Sequence, residues 1–497
     1  MPFLPFSHIV DLRRELNGTD ADISTWGCDD YDSRIKQWND SSDTEVGAVV
    51  RITSAEEAAT VVRFATCYGV PLAIKSGGCS TSGASTTHGG IVLDLSNLRK
   101  VHVNPARRVV VAQGGALWED IDVASAQHGL AVVGSTLNQI GAAGATLGGG
   151  YGWLTGQHGL AIDNLLWARM ILADGSIVTA SDEQHKGLFW AIRGAGQSFG
   201  VAVELAFRAH KQDHPVFAGT LLFSPDVLPS IVQFTNRFET LNDGKQGLLF
   251  GFIMQPSMSQ CSILVALFYN GDKAAGERFF SPLLSLGPIS NNLQMIPYDG
   301  VNGLLNLYHT LPRHGNSGSF DIAYPVDNST GPRKSLSGSN VTLPLDIALV
   351  QSIYHIFNQM LKECPQARDS KLLFEILPNK EIMKTSNESM AFASRGPYFN
   401  VSSLFRWSDA HLDVGVHSCQ RNLMKYIGEQ AGIFRKSQYS TSEHGVGLYA
   451  NYAGHDLPIE ALFGPNLVRL RELKKTYDPQ NTFRHWHNLE ALPEPPG

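Results

Sequence analysis

The chain has 497 residues, more than one hydrophobic core usually supports, so two domains are expected. At 43% hydrophobic and 17% charged residues it reads as an ordinary globular protein, not a disordered or fibrous one. The formal net charge is −7 and no Lys/Arg cluster stands out, so nucleic acid is not an expected partner.

The first segment, MPFLPFSHIVDLRREL, lacks a basic leader and is broken by Pro2 and Pro5, so it is not read as a signal peptide. A cytoplasmic location is expected. Sequons at Asn17, Asn39, Asn328, Asn340, Asn387 and Asn400 keep secretion as the alternative. Residues 47–53 (GAVVRIT) read as a strand. Ser54 then caps a helix to Tyr68, with Glu57 at its third position and a stripe of Ala58, Val61, Val62 and Ala65. Strands are expected at Val70–Ile74, Gly90–Leu95 and Val109–Ala112, and a helix at Trp118–Gln127. Residues 134–159, GSTLNQIGAAGATLGGGYGWLTGQHG, are dominated by Gly and Ala. Leu165–Leu172 and Ser176–Ala180 form a hairpin around Ala173–Asp174–Gly175, Leu188–Ile192 is helical, and Val201–Arg208 is a strand.

Beyond His210, strands at Ala218–Phe223, Leu248–Gln255 and Cys261–Tyr269 alternate with helices at Leu228–Leu241 and Asp272–Leu284, as in an antiparallel sheet with one covered face. Tyr308–Leu343, rich in Gly, Ser, Asn and Pro, reads as loop. A helix over Leu345–Cys364, strands at Leu372–Leu377 and Tyr398–Phe405, a helix over Ala410–Gln430, a strand over Gly445–Tyr452 and a helix at Asn466–Lys475 complete the chain. The longest apolar runs, Leu248–Met254 and Ile263–Tyr269, are too short to span a bilayer, so no membrane is expected. Six scattered cysteines with no CxxC argue against a disulfide framework or structural zinc, and no metal site is expected.

Two glycine-rich segments, IKSGGCSTSG (74–83) and GATLGGGYGWL, lie about sixty residues apart. Glycine lets backbone approach a ligand closely, and successive N–H groups in a tight loop form a hollow suited to phosphate. Neither segment matches GxGxxG or GxxxxGKS, so a Rossmann site and a P-loop are disfavoured. Two tightly packed turns are the structural alternative.

The order KSGGxSxxG, GGIVLDLSNL, GATLGGGYGWL, DNLLWARMILADG, LFWAIRGAGQSFGVAVE, and finally YANY with FGPNLVRLRELKKTYDPQNTF resembles the berberine-bridge-enzyme-like FAD-linked oxidases of the vanillyl-alcohol-oxidase superfamily. The likeness covers nearly the whole chain and is weakest over 214–444. It implies an α+β fold. A PCMH-type FAD-binding domain spans 1–213, with its core at about 42–213. A substrate-binding domain with an antiparallel sheet covered by helices spans 214–444, and 445–497 returns to the FAD domain. It implies that Ser76, Gly77, Gly78, Cys79 and Ser80 wrap the FAD pyrophosphate, with Lys75, Ser82 and Gly83 also binding the cofactor. It implies further that Ile140, Gly141, Ala142, Ala143, Gly144, Gly149 and Gly152 run along the cofactor, with Val201 and Asn451 also at it.

Many members of the family carry a histidine at the position of Cys79 that bonds covalently to the flavin. Bicovalent members add a cysteine where Leu137 stands here. Neither bond can form in this chain. Cys79 is left as an inert residue beside non-covalent FAD, as a thioether to the flavin, or as a separate catalytic thiol. The first of these is the leading expectation.

Oxidising an alcohol or phenol requires a base near the substrate oxygen. If EHGVGLYANY is a regular strand, Glu443, Tyr449 and Asn451 share a face. By resemblance Tyr449 matches the base of oligosaccharide oxidases and Glu443 that of alkaloid-oxidising relatives. Each has a bland alternative, Tyr449 as a satisfied core phenol and Glu443 as a surface group. Arg395 either binds an anionic substrate or braces its loop, and His158 and His210 read as structural. Phe250, Phe252, Tyr398 and Phe405 either line an apolar pocket or pack under helices. Ile140 matches a residue that gates oxygen in the family, which makes oxygen the expected final acceptor. The leading function is an FAD-dependent oxidoreductase removing a hydride from a small organic, secondary-metabolite-like substrate, as a monomer or dimer. The alternatives are a carbohydrate oxidase and a non-redox cyclase that uses FAD as a scaffold.

Overall fold

The computed structural model describes residues 4–39, 44–255, 258–305, 333–432, 445–454 and 457–490. Near the N-terminus, Ser54 accepts from the Glu57 N–H and Glu57 reaches back to the Ser54 N–H, so the expected capping box starts the helix Ala55–Tyr68. Gly69 ends it in the left-handed conformation (φ 65°). The helix covers a sheet in which Ala48–Arg51, Ile91–Asp94 and Leu72–Lys75 run parallel, with Asp22–Thr25 antiparallel on the edge. A second, wholly antiparallel sheet follows the order Val101–Asn104, Val109–Gln113, Val201–Arg208, Leu165–Ile171, Ile177–Ser181, and includes the expected hairpin.

The largest sheet lies in the second half of the chain and is antiparallel throughout. Its central strands are Val216–Phe223, Ser262–Tyr269, Gln246–Ile253, Lys371–Ile376, Phe399–Trp407 and Arg333–Val341. Strand alternation gives it two distinct faces. Phe250, Phe252, Phe374, Phe405 and Trp407 are buried with the helices Leu228–Leu241, Lys273–Leu284, Ile347–Glu363 and Asp413–Gln430. Leu249, Lys371, Leu373, Glu375, Ser402 and Leu404 point the other way, into a cavity. The fold is thus α+β, with an antiparallel sheet covered by helices on one side only.

Two expectations are corrected. Part of Tyr308–Leu343 is the nine-residue strand Arg333–Val341, paired along its whole length with Phe399–Trp407. Its sequence, RKSLSGSNV, lacks the apolar alternation of a free-standing strand, and the neighbouring strand supplies the order through the ladder. Residues 306–332 lie outside the described residues. Gly445–Tyr452 is not a strand. Gly445 (φ 77°) and Gly447 (φ 74°) are left-handed, and Ala450–Tyr452 is one 3₁₀ turn. A side chain at Gly445 would also meet the Ala393 carbonyl oxygen at 1.9 Å. After this segment the chain packs back on the first two sheets. Phe483 joins the core under Ala55–Tyr68, and Trp486 and Leu489 join the core of the second sheet.

Candidate active site

A cavity of about 290 Å³ lies between the first half of the chain and the bare face of the large sheet. Segment 76–82 forms one wall. Among the described residues, no acceptor in the chain takes up the N–H groups of Gly77 to Thr81. Gly77 and Gly141 touch backbone to backbone: a Cβ on Gly77 would meet the Gly141 nitrogen at 2.5 Å, and one on Gly141 the Gly77 nitrogen at 2.6 Å. A Cβ on Gly144 meets nothing within 4 Å. The two glycine segments therefore share one cleft, with free N–H donors on one side and open space over the other. That is what a diphosphate-bearing cofactor needs.

Of the sequence-expected residues, Ser76, Gly77, Gly78, Cys79, Ser80, Ser82, Ile140, Gly141, Ala143, Gly144, Tyr449 and Asn451 line this cavity. Others fall elsewhere. The Lys75 ammonium donates to the Arg34 and Lys36 carbonyls at 2.9 and 3.0 Å, beside Asp94 and away from the cleft. Gly83 (φ 80°) makes the turn behind the loop, and Ala142 is buried in the core. Val201 packs in the core with Ile171 and Val203, while its neighbours Gly200 and Ala202 face the cavity, as strand alternation requires. Gly152 packs on the Gly134 carbonyl. Glu443 lies outside the described residues.

The run Gly148–Gly149–Gly150, expected along the cofactor, also packs on the C-terminal segment, and its Gly150 lines the cavity. A Cβ on Gly148 would meet Asn451 Oδ1 at 2.0 Å, and one on Gly149 would meet the rings of Phe392 and Tyr449 at 2.8 and 3.1 Å. The run seats the C-terminal segment. Its Gly150 N–H donates to Tyr449 Oη at 3.1 Å, and Asn451 Nδ2 donates to the same oxygen at 2.8 Å. A phenol oxygen has two acceptor lone pairs, both used here, so its own proton is free for another partner. Burial pushes the Tyr449 phenol up to about 12, against the pull of these two donors. Tyr449 and Asn451 thus meet without a regular strand, because the 3₁₀ turn folds the asparagine back.

Glu375, which the sequence reading passed over, faces the same cavity. It is 8% exposed and accepts from Ser402 Oγ at 2.7 Å and Tyr452 Oη at 3.0 Å. Burial raises its carboxyl to about 7, with those hydrogen bonds opposing. The Tyr452 ring stands 4.8 Å from that of Tyr449, which joins the two groups in one polar cluster. Lys371, two residues beyond Leu373 on the same strand face, is also buried, and burial depresses its ammonium. A lysine and a glutamate bracketing the apolar run LLF in the strand KLLFEI were the available signal.

Cys79 donates weakly to the Gly77 and Gln139 carbonyls at 3.4 and 3.7 Å, and burial raises its thiol to about 11. Arg395 is a brace. Its fully buried guanidinium forks onto both oxygens of Asp163 at 2.6 and 3.2 Å. His158 and His210 stack at 3.6 Å, and His210 Nε2 pairs with Asn164 Oδ1 at 2.8 Å. Phe250, Phe252 and Phe405 pack under helices, and Tyr398 points at the Gly445 carbonyl. Among the described residues no group of His, Cys, Asp and Glu could hold a metal ion, and no helix is long and apolar enough to cross a membrane.

Fold and cleft together define an FAD-binding flavoenzyme. An FAD binding domain profile matches residues 46–181, and a berberine and berberine-like profile matches 448–490. FAD-linked oxidoreductase pgmH of Aspergillus terreus is 29% identical over 490 residues, covering 96% of this chain and 95% of the relative. (R)-6-hydroxynicotine oxidase of Paenarthrobacter nicotinovorans is 26% identical, covering 93% and 94%. The crystal structure of 6-hydroxy-D-nicotine oxidase from Arthrobacter nicotinovorans superposes with a TM-score of 0.76 at 25% identity, over 95% of this chain and 98% of that one. Physcomitrella patens BBE-like 1 superposes at 0.79 and 22% identity, over 96% and 98%. The chain carries an FAD binding domain and a berberine-like C-terminal segment, is similar to FAD-linked oxidoreductases along nearly its whole length, and is an FAD-dependent oxidase of small organic substrates.

Proposed function

We propose that Tyr449 and Glu375 together move the substrate proton while the substrate lies between them and the cleft of residues 76–82 and 140–144. The observation that carries this reading is the doubly hydrogen-bonded Tyr449 oxygen inside the cavity. When bound, FAD supplies a hydride acceptor. The protein does the rest. Leu249, Leu373 and Leu404 give the substrate an apolar floor and exclude water. Glu375 is poised near neutrality to take a proton from a substrate hydroxyl or amine, directly or through Tyr452. The two donors on Tyr449 Oη stabilise negative charge when its own proton leaves.

The same reading makes the flavin non-covalent. A thioether requires the Cys79 thiolate, and burial keeps this sulfur protonated at neutral pH. The domain division 1–213, 214–444 and 445–497 is part of the proposal. The first two sheets lie in the first part and the large sheet in the second, which supports it. Oxygen is taken as the final acceptor and the product as a small-molecule metabolite.

The test is anaerobic mixing of the flavin-loaded protein with small alcohols, phenols and amines. Bleaching of the yellow spectrum by one of them, slowed about 10²–10⁴-fold in Y449F with flavin content unchanged, is the expected result. Unslowed bleaching in Y449F removes Tyr449 from the reaction. Acid precipitation that leaves flavin in the pellet removes the non-covalent reading.

A further inference from the structure

Asp122 sits mid-helix in Trp118–Ala126 and is 2% exposed. Its Oδ2 accepts a hydrogen bond from Asn302 Nδ2 at 2.7 Å. Two buried oxygens at this contact have no partner, Asp122 Oδ1 and Asn302 Oδ1. The charged groups that act on Asp122 are both acidic, Glu119 on its own helix and Asp299 on the helix Tyr298–Val301 packed against it, and the buried Tyr298 phenol faces it as well. The strands packed on the Asp122 helix, Val101–Asn104, Val109–Gln113 and Leu130–Ala131, contribute one titratable group, the exposed His102. No cation compensates a carboxylate here, and an uncompensated buried charge is costly.

We propose that Asp122 keeps its proton at neutral pH and closes a two-hydrogen-bond carboxylic acid–carboxamide pair with Asn302, and that this pair is a positioning device for the loop over the flavin cavity. Protonation gives Oδ1 a hydrogen to donate to Asn302 Oδ1, so the two orphaned oxygens become each other's partners. Burial and the two acidic neighbours raise the carboxyl to about 8. What the pair holds is visible in the backbone. The Asn302 carbonyl accepts the Asn138 N–H at 3.0 Å, the Asn138 carbonyl accepts the Glu119 N–H at 2.8 Å, and the Trp118 N–H donates to the Ile140 carbonyl at 3.1 Å. Ser135, Leu137, Gln139 and Ile140 of this loop, and Leu305 beyond Asn302, all line the cavity. The pair therefore clamps both sides of a cavity wall from a place outside the cavity. Loss of the proton to solvent leaves a carboxylate facing a carbonyl oxygen and opens one half of the clamp.

The sign is fixed by linkage. Between the ordinary carboxylate value of about 4 and about 8, the unfolded chain has released a proton that the folded chain keeps, so stability falls as pH rises through that window and levels off above it. D122N supplies the same two hydrogen bonds with no proton to lose. The test is the thermal midpoint and the rate of FAD loss of the loaded protein from about pH 5 to about pH 9.5. We expect the wild type to shed FAD about 10-fold faster above pH 8 than at pH 7, and D122N to lose that rise and the part of the midpoint fall that lies above pH 7, the fall below pH 7 that Glu375 causes remaining. A D122N protein that keeps both overturns the proposal. Should D122N fail to fold, infrared spectra of E375Q, which lacks the buried cavity carboxyl that is also raised, decide instead. Loss of a protonated-carboxyl band between about pH 7 and pH 9 supports the proposal, and a carboxylate already present at pH 7 with no such band overturns it.

Discussion

In the proposed mechanism Tyr449 and Glu375 divide the proton chemistry by their surroundings. The phenol is raised by burial and held by two donors, whereas the carboxyl is raised only to about 7. Turnover should rise with pH through about 7 as the Glu375 carboxylate forms, and E375Q should lose that limb along with about 10²-fold or more of the rate. A pH profile of flavin reduction checks this, and an unchanged acidic limb in E375Q would assign the titration to another group. C79S should keep its full flavin complement, since the sulfur only caps two carbonyls. Tyr449 and Asn451 were legible in the sequence because the YANY motif carries them. Glu375 was not, because one acidic residue in an apolar strand looks the same whether it faces a cavity or solvent. Only the register of Leu249, Glu375 and Asn400 across three strands places it.

Short elements show the same contrast between local and distant causes. The helix Ala55–Tyr68 was readable from its first turn, because a capping box and an apolar stripe are local facts. Arg333–Val341 was not, because its order comes from a distant strand, Phe399–Trp407. The glycine run 148–150 was expected along the cofactor, and in the structure it also has a second partner. That partner is the C-terminal segment, which no local pattern could disclose. G148A follows as a prediction. Its methyl would displace Asn451, remove one donor from Tyr449 and depress flavin reduction while leaving FAD bound. Loss of flavin instead would return Gly148 to the cofactor. R395M should cost about 3–5 kcal/mol in urea unfolding, because Asp163 is left buried without its counter-charge.

Across the whole molecule, the C-terminal segment is held by one fully buried ion pair. Lys474 Nζ contacts Asp478 Oδ2 at 2.7 Å, the Ser198 carbonyl at 2.6 Å and the Phe483 carbonyl at 2.8 Å, while Asp478 accepts the N–H groups of Thr482 and Phe483. K474M should destabilise the protein by about 3–5 kcal/mol and expose the segment after residue 478 to protease before the rest unfolds. Simultaneous digestion of all parts would show that the pair is not a local clasp. The α+β fold and the cofactor were legible because several motifs occur in a fixed order. The walls of the cavity were not, because they form where the bare face of the large sheet meets the two glycine segments.

Those walls draw on residues from Trp38 to Trp486. A polypeptide still emerging from the ribosome has its first glycine hollow long before Tyr449, Phe483 and Trp486 exist to shut it. The first glycine hollow alone is therefore an open groove, and it becomes an enclosed site only when the segment carrying Tyr449, Phe483 and Trp486 packs back over it.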